Sequence, residues 1–233
     1  MKLSSDTYEI LRNFSGINGN MMLREGNVVR SLKNSDNAVA RAEIVENLPI
    51  SFGIYDLSEF LSCISIFDDP NLEFLEDHVV ISDTSGAFGS INYYYTSERL
   101  LKFAPDDNPK MPEPDISFVL TSKRFNMIRK TSSALGLEDL TVSPSSDNTV
   151  SLKVTEVKKF EGGDNETLNS FSDDVEATFK EPNFRFVFKI GNLRMIEGDY
   201  EVNISSKKIA HFKHTQKPID YWIASELNSK YGE

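Results

Sequence analysis

The chain has little of several things on which whole classes of protein depend. Its 233 residues include one cysteine, Cys63, so no disulfide can close within it and no cysteine-rich zinc site can be built. No run of about 18 apolar residues occurs, so nothing is expected to span a membrane. The opening stretch MKLSSDTYEILRNF turns polar after three residues and lacks the apolar segment of a secretory leader. These features fit a reducing cytoplasm. The short signatures of nucleotide and hydrolase chemistry are missing too. There is no G-x-x-x-x-G-K-[ST], no G-x-G-x-x-G, no G-x-S-x-G and no H-E-x-x-H. Positive charge is scarce: 25 Lys and Arg face 36 Asp and Glu, a net charge of −11. That balance argues against a general nucleic-acid binder, because phosphate contacts need cations.

The deficit is uneven. Ile116–Leu137 contains Lys123, Arg124, Arg129 and Lys130 and no acid, so the rest of the chain carries −15. Solubilising surfaces usually mix signs, and this segregation calls for another explanation.

Helical signals are few. Asp6-Thr7-Tyr8-Glu9 has the form of a capping box, with Leu3, Ile10, Leu11 and Phe14 on one helical face. Asp56-Leu57-Ser58-Glu59 repeats the pattern and turns Leu57, Phe60, Leu61 and Ile64 inward. A third helix is expected from Thr121 to Leu135, stopped by Gly136. A fourth, short one is expected over Ile190–Ile196, ending at Gly198. Strand-like runs lie between them: Ala38–Ile44, Val79–Ser82, Ser90–Tyr95, Ile116–Leu120, Val150–Val157, Phe184–Lys189, Tyr200–Ser205 and Ile219–Leu227. Glu161–Asp174 is polar and reads as a long exposed loop. Ala104–Asp115 holds four prolines and four acids, poor material for helix or central strand. It reads as a linker (residues 105–115) between halves 1–104 and 116–233 of similar layout.

On an ideal helix Phe125, Ile128, Ser132 and Leu135 share one side of the third helix. Lys123 and Lys130 lie nearly opposite, with Arg124 and Arg129 on the flanks. Such a helix can bury one face on a sheet and hold four cations toward a cavity. His211 and His214 form an H-x-x-H pair, but in a strand their side chains point to opposite faces, which is unsuited to a metal. Asp68-Asp69, Asp106-Asp107 and Asp173-Asp174 sit in turn-like stretches where solvated acids are usual.

Three stretches carry a resemblance: MKLSSDTYEILRNFSGIN, FGIYDLSEFLSCISIFDD and RFVFKIGNLRMIEGDYEV. In order along the whole chain they are similar to the sliding clamps of T-even-type bacteriophages. The resemblance implies an α+β DNA-clamp fold with two topologically similar domains, each with two helices packed on antiparallel sheets. It implies a homotrimeric ring around double-stranded DNA, opened by a clamp-loader ATPase and tethering the replicative DNA polymerase, in the cytoplasm of an infected bacterial host. Late-transcription factors are further partners it suggests. No catalytic residue, metal or cofactor is implied.

Under that reading Lys2, Arg12, Lys123, Arg124, Arg129, Lys130 and Arg194 are expected to face DNA. Ser90, Ile91, Tyr93 and Tyr95, with Val150, Leu152 and Val154, are expected to pair between subunits as edge strands. Met111, Pro112, Trp222 and Ile223 are expected at a pocket for partner tails. Two readings of other classes stand beside it: a metal-dependent nuclease or phosphoesterase using the paired acids, and an acidic protein–protein adaptor.

Overall fold

The computed structural model describes residues 1–160, 163–166 and 169–232. Its contacts divide the chain into two compact units, Met1–Asn108 and Pro109–Glu233.

The first unit opens with α1 (Ser5–Ser15), followed by β1 (Met21–Leu23), β2 (Gly26–Leu32), β3 (Ala38–Leu48) and β4 (Phe52–Ile54). Then come α2 (Leu57–Ile64), β5 (Pro70–Phe74), β6 (His78–Asp83) and β7 (Ser90–Tyr94). The cap of α1 is Ser4, whose hydroxyl accepts from Thr7 N at 3.2 Å, two residues before the expected Asp6. Asp56 caps α2 as its sequence suggests, accepting from Ser58 N and Glu59 N at 2.9 and 3.1 Å. Ile10, Leu11 and Phe14 from α1, and Leu57, Phe60, Leu61 and Ile64 from α2, are buried. All strand pairs are antiparallel: β1 with β4, β2 with β3, and β6 between β5 and β7.

The second unit contains β8 (Ile116–Leu120), α3 (Ser122–Leu135), β9 (Asp139–Ser146), β10 (Thr149–Thr155) and the short hairpin β11 (Val157–Phe160) and β12 (Gly163–Glu166). It continues with β13 (Phe171–Phe179), β14 (Phe184–Lys189), β15 (Tyr200–Ser205), β16 (Ile209–His214), β17 (Ile219–Ala224) and β18 (Lys230–Tyr231). Antiparallel ladders run in the order β18-β14-β9-β10-β13-β8-β15-β16-β17. Inward residues alternate along these strands, as in β14, where Phe184, Phe186 and Phe188 are all buried.

Three expectations change. The helix expected over Ile190–Ile196 is a single 3-10 turn, Ile190–Asn192. It has no side-chain cap, since the Lys189 ammonium, paired with Asp139 at 2.7 Å, offers no acceptor to the first N–H groups, and Gly191 disfavours a further helical turn. Gly191, Arg194 and Glu197 are exposed while the residues between them are buried, a period of three and not 3.6. The Glu161–Asp174 segment is not one loop. Residues 161, 162, 167 and 168 lie outside the described residues, but Gly163–Glu166 pairs with Val157–Phe160, and Asp173-Asp174 lie within β13. Leu135, placed on the apolar side of α3, is 45% exposed. The helix ends there, with Gly136 in the left-handed region at φ 66°.

Two side chains dock α3, Phe125 and Ile128, each 1% exposed. Phe125 meets Tyr200 edge-on at 6.3 Å. Phe125→Ala should therefore lower the unfolding free energy of this unit by about 3–5 kcal/mol, read by urea titration. Gly136→Ala should cost about 1 kcal/mol, since Ala disfavours that backbone conformation.

Candidate nucleic-acid and subunit interfaces

Of the seven cations expected to face DNA, the structure divides the set. Lys123, Arg129 and Lys130 are exposed on α3 and make no ion pair among the described residues. The guanidinium of Arg129 lies over the Phe125 ring, 5.7 Å from its centre, which holds the charge near the helix surface. Lys123, Met127, Lys130 and Ala134 follow one another along the exposed line of the helix. Arg12 is exposed on α1 and Arg194 is exposed after the 3-10 turn. Two cations are diverted. Lys2 is bound to Asp69 at 2.6 Å. Arg124 is half-buried, donating from Nε to Asp173 Oδ2 at 2.9 Å and from Nη2 to Asp174 O at 3.2 Å. Their positive charge is thus largely matched by protein acids.

The exposed side of the short α2 carries no cation: it presents Glu59 with Ser58 and Ser62. Ser62 Oγ donates to Ser58 O at 2.7 Å and Ser65 Oγ to Ser62 O at 2.8 Å, so these hydroxyls serve the helix itself.

The candidate seam residues also separate. Among the described residues β7 pairs on one side only, with β6. Ser90 is exposed, and Ile91 and Tyr93 are half-buried. Tyr93 donates to Asp56 O at 3.2 Å and packs against Phe60 at 5.1 Å. Burial, with Glu59 and Asp56 beside it, pushes its hydroxyl up to about 12. Tyr95 lies just past the strand, 4.9 Å from the Phe52 ring, and burial likewise pushes it up to about 12.

The other expected edge is corrected. Val150, Leu152 and Val154 lie in β10, which is paired with β9 on one side and β13 on the other, and all three are buried. No ladder position remains there for a neighbour. The open edge belongs instead to β13: Phe171–Glu176 pair only with β10 among the described residues, while Ala177–Phe179 also meet β8. The sequence did contain a signal for this strand. Phe171, Asp173, Val175, Ala177 and Phe179 alternate with Ser172, Asp174, Glu176 and Thr178 at period two.

The expected partner pocket is corrected in part. Met111 and Pro112 are half-exposed, but Trp222 is 6% and Ile223 1% exposed, and the Trp222 ring stacks on His211 at 4.9 Å. They are core residues that an incoming side chain cannot reach. A cavity of about 330 Å³ lies instead among Phe186, Ser206, Lys208 and Leu227–Tyr231.

The histidines hold the scaffold. His211 Nε2 bonds Asp220 at 2.8 Å, and His214 Nδ1 accepts from Gln216 N and Lys217 N at 3.0 and 3.1 Å. Among the described residues no three His, Cys, Asp or Glu converge as a metal site, and no helix is long and apolar enough to cross a membrane.

The start of α1, which carries Arg12, is tied to β3 by Glu46. Its carboxylate accepts from Ser4 N and Thr7 Oγ1. Burial alone would push this carboxyl up, but the hydrogen bonds outweigh it and hold the group below the usual carboxylate value. A depressed carboxylate stabilises the fold above its unfolded pKa, and the contribution fades as pH falls through the lower folded value. Glu46→Gln should cost about 1–2 kcal/mol at pH 7. The gap to the natural protein should narrow in acid, as followed by denaturant titrations across pH 3–7.

Comparison with known proteins covers nearly the whole chain. Residues 4–86 match the family model described as DNA polymerase processivity factor, and residues 117–227 match that of the gp45 sliding clamp, C terminal. The sliding clamp of Vibrio phage KVP40 is 30% identical over 229 residues, 97% of this chain and 99% of that protein. That of Escherichia phage RB69 is 25% identical over 236 residues, 99% of each. Among solved structures, the proliferating cellular nuclear antigen of Entamoeba histolytica superposes with a TM-score of 0.63 at 14% identity, covering 94% of each chain. The PCNA2–PCNA3 complex from Sulfolobus tokodaii also gives 0.63, at 13% identity and with coverage of 94% and 95%. At such identities the likeness is one of fold, the α+β clamp fold of mixed helices and antiparallel sheets. With residues 4–86 and 117–227 matched and a relative 30% identical end to end, the chain belongs to the sliding-clamp family of phage DNA polymerase processivity factors.

Proposed function

We propose that three copies of this chain close head to tail into a ring around duplex DNA. The ring tethers the replicative polymerase in the cytoplasm of an infected bacterium. An ATP-driven loader opens it, and late-transcription factors are further clients. The chain itself performs no catalysis. Residues 1–104 and 116–233 act as its two clamp domains, joined by 105–115. The observation that carries this reading is that each unit has a strand with an open edge, β7 in the first and Phe171–Glu176 of β13 in the second. An open edge invites another strand, and two unlike edges on one chain generate a closed cycle of copies when the rotation fits.

The exposed cations of α3 supply the second support. A clamp needs attraction that is weak and blind to sequence, and long side chains touching phosphates meet that need. Fixed hydrogen bonds to bases would instead hold it in one place. The acidic remainder discourages DNA from binding elsewhere on the chain. For partner tails, the cavity beside Leu227–Tyr231 replaces the buried Trp222 and Ile223 as the candidate surface.

Ser172 offers a clean test of the seam. Ala177 N donates toward β10, to Asn148 O, so by alternation the N–H of Ser172 points to the open side. Ser172→Pro should leave the domain folded and the β10 ladder intact. Light scattering should show single-subunit mass where the natural protein shows three. Full multimer mass in the proline variant would refute pairing through β13. A second test concerns charge. Lys123→Ala, Arg129→Ala and Lys130→Ala combined should preserve mass and folding but abolish loading and processive synthesis, while Lys207→Ala on the β15–β16 turn should do little. Each lost phosphate contact should reduce the slope of log K against log salt by about 0.9 at most. Equal processivity in both variants would mean α3 does not face DNA.

A further inference from the structure

Arg124 stands among the cations of α3 in the sequence but is set apart in space. Lys123 and Lys130 keep to the exposed line of the helix, and Arg124 lies about 100° around from Lys123. Both of its acceptors, the Asp173 carboxylate and the Asp174 carbonyl, belong to the half of β13 whose outer edge is open. Grooves flank the guanidinium on two sides. One, of about 470 Å³, is lined by Lys123, Met127, Phe171 and Asp173. The other, of about 510 Å³, is lined by Val119, Thr149, Val175 and Glu176. The side chain therefore bridges from helix to strand where apolar packing is thin. From the β9 side, Ser145 Oγ donates to Asp174 Oδ2 at 2.8 Å. Successive side chains of a strand point to opposite faces, so Asp173 and Asp174 are fastened from opposite sides.

We propose that Arg124 is a positioning residue for the subunit seam. Through Asp173 and the Asp174 carbonyl it holds the open edge of β13 where β7 of a neighbouring copy must pair, and it is not a DNA contact. This rests on the ring reading above. An ion pair with each side chain about a third or more exposed adds little to folding stability. Its effect falls on where the edge sits, because a strand paired on one side only is free to twist away from the register a partner strand requires. The assignment also explains why an arginine occupies this position. Its planar fork can bond a carboxylate and a carbonyl of adjacent residues at once, which a lysine ammonium does less well.

The test compares Arg124→Gln, Asp173→Asn and the exchange Arg124→Asp with Asp173→Arg against Lys123→Ala with Lys130→Ala. Sedimentation across a dilution series reads the concentration at which the multimer half-dissociates. Loss of either partner should raise it by about five-fold or more. The exchange should recover part of the loss, and the lysine control should match the natural protein. Asp173→Asn preserves shape on an edge strand and carries the test if Arg124→Gln does not fold. Crosslinked rings of Arg124→Gln should keep the natural salt dependence on circular duplex. If Arg124→Gln and Asp173→Asn dissociate like the natural protein, or if Arg124→Gln lowers the salt slope while leaving dissociation unchanged, Arg124 is a phosphate contact and the proposal fails. A natural protein that is monomeric at every concentration would instead overturn the ring reading itself.

Discussion

A β-strand presents backbone donors and acceptors along both edges, and those not paired within the sheet must find water, a side chain or another chain. The two units meet this constraint differently at different edges. Along β14, the C-terminal residues act as the cover. Glu226 N donates to Val187 O at 2.8 Å, Ser229 Oγ accepts from Val187 N at 2.9 Å, and Lys230–Tyr231 pair with Phe184 and Arg185. Along β7 no such cover is found among the described residues, and along the first half of β13 the Arg124 guanidinium meets the edge at a single carbonyl, that of Asp174. The contrast between an edge closed by the chain's own C-terminal residues and the edges of β7 and β13 left open gives the multimeric reading its physical basis.

The same strand that carries an open edge is connected to the helix that carries the exposed cations. Lys123, Arg129 and Lys130 face outward, whereas Arg124 turns back to β13. On the proposed reading, one short basic segment divides between two tasks, attraction for phosphate and placement of an edge. Apolar docking of α3 through Phe125 and Ile128 keeps both in register. Electrostatics fits the weak, sequence-blind attraction a sliding protein requires, because only exposed cations without protein partners remain for DNA.

Much of this was legible in the residues. Capping at Asp56, the start of α3 at Thr121 and its stop at Gly136 come from local chemistry: a short polar side chain reaches the first free N–H groups, and glycine adopts the left-handed region without strain. Burial of Phe125 and Ile128 comes from helical period, and Ile116–Leu120, Phe184–Lys189 and Tyr200–Ser205 from strand composition. Family membership was legible through collinear similarity, which needs no geometry. The 3-10 turn at Ile190 was harder, since its apolar residues imitate a helical face while its glycine and missing cap argue otherwise.

The sequence by itself determined the kind of elements, the apolar side of each and the placement of cations on one acid-free helix, because these depend on neighbours a few residues apart. Which strands are edges depends on which strands lie beside them, and that is decided only when distant segments meet. Val150–Val154 reads as a strand fit for an edge, yet β9 and β13 enclose it on both sides. Phe171–Asp174 reads as the end of a polar loop, yet it carries the edge. Arg124 obeys the same rule: its charge is written in the chain, but its partner stands 49 residues away and is reached only through the fold.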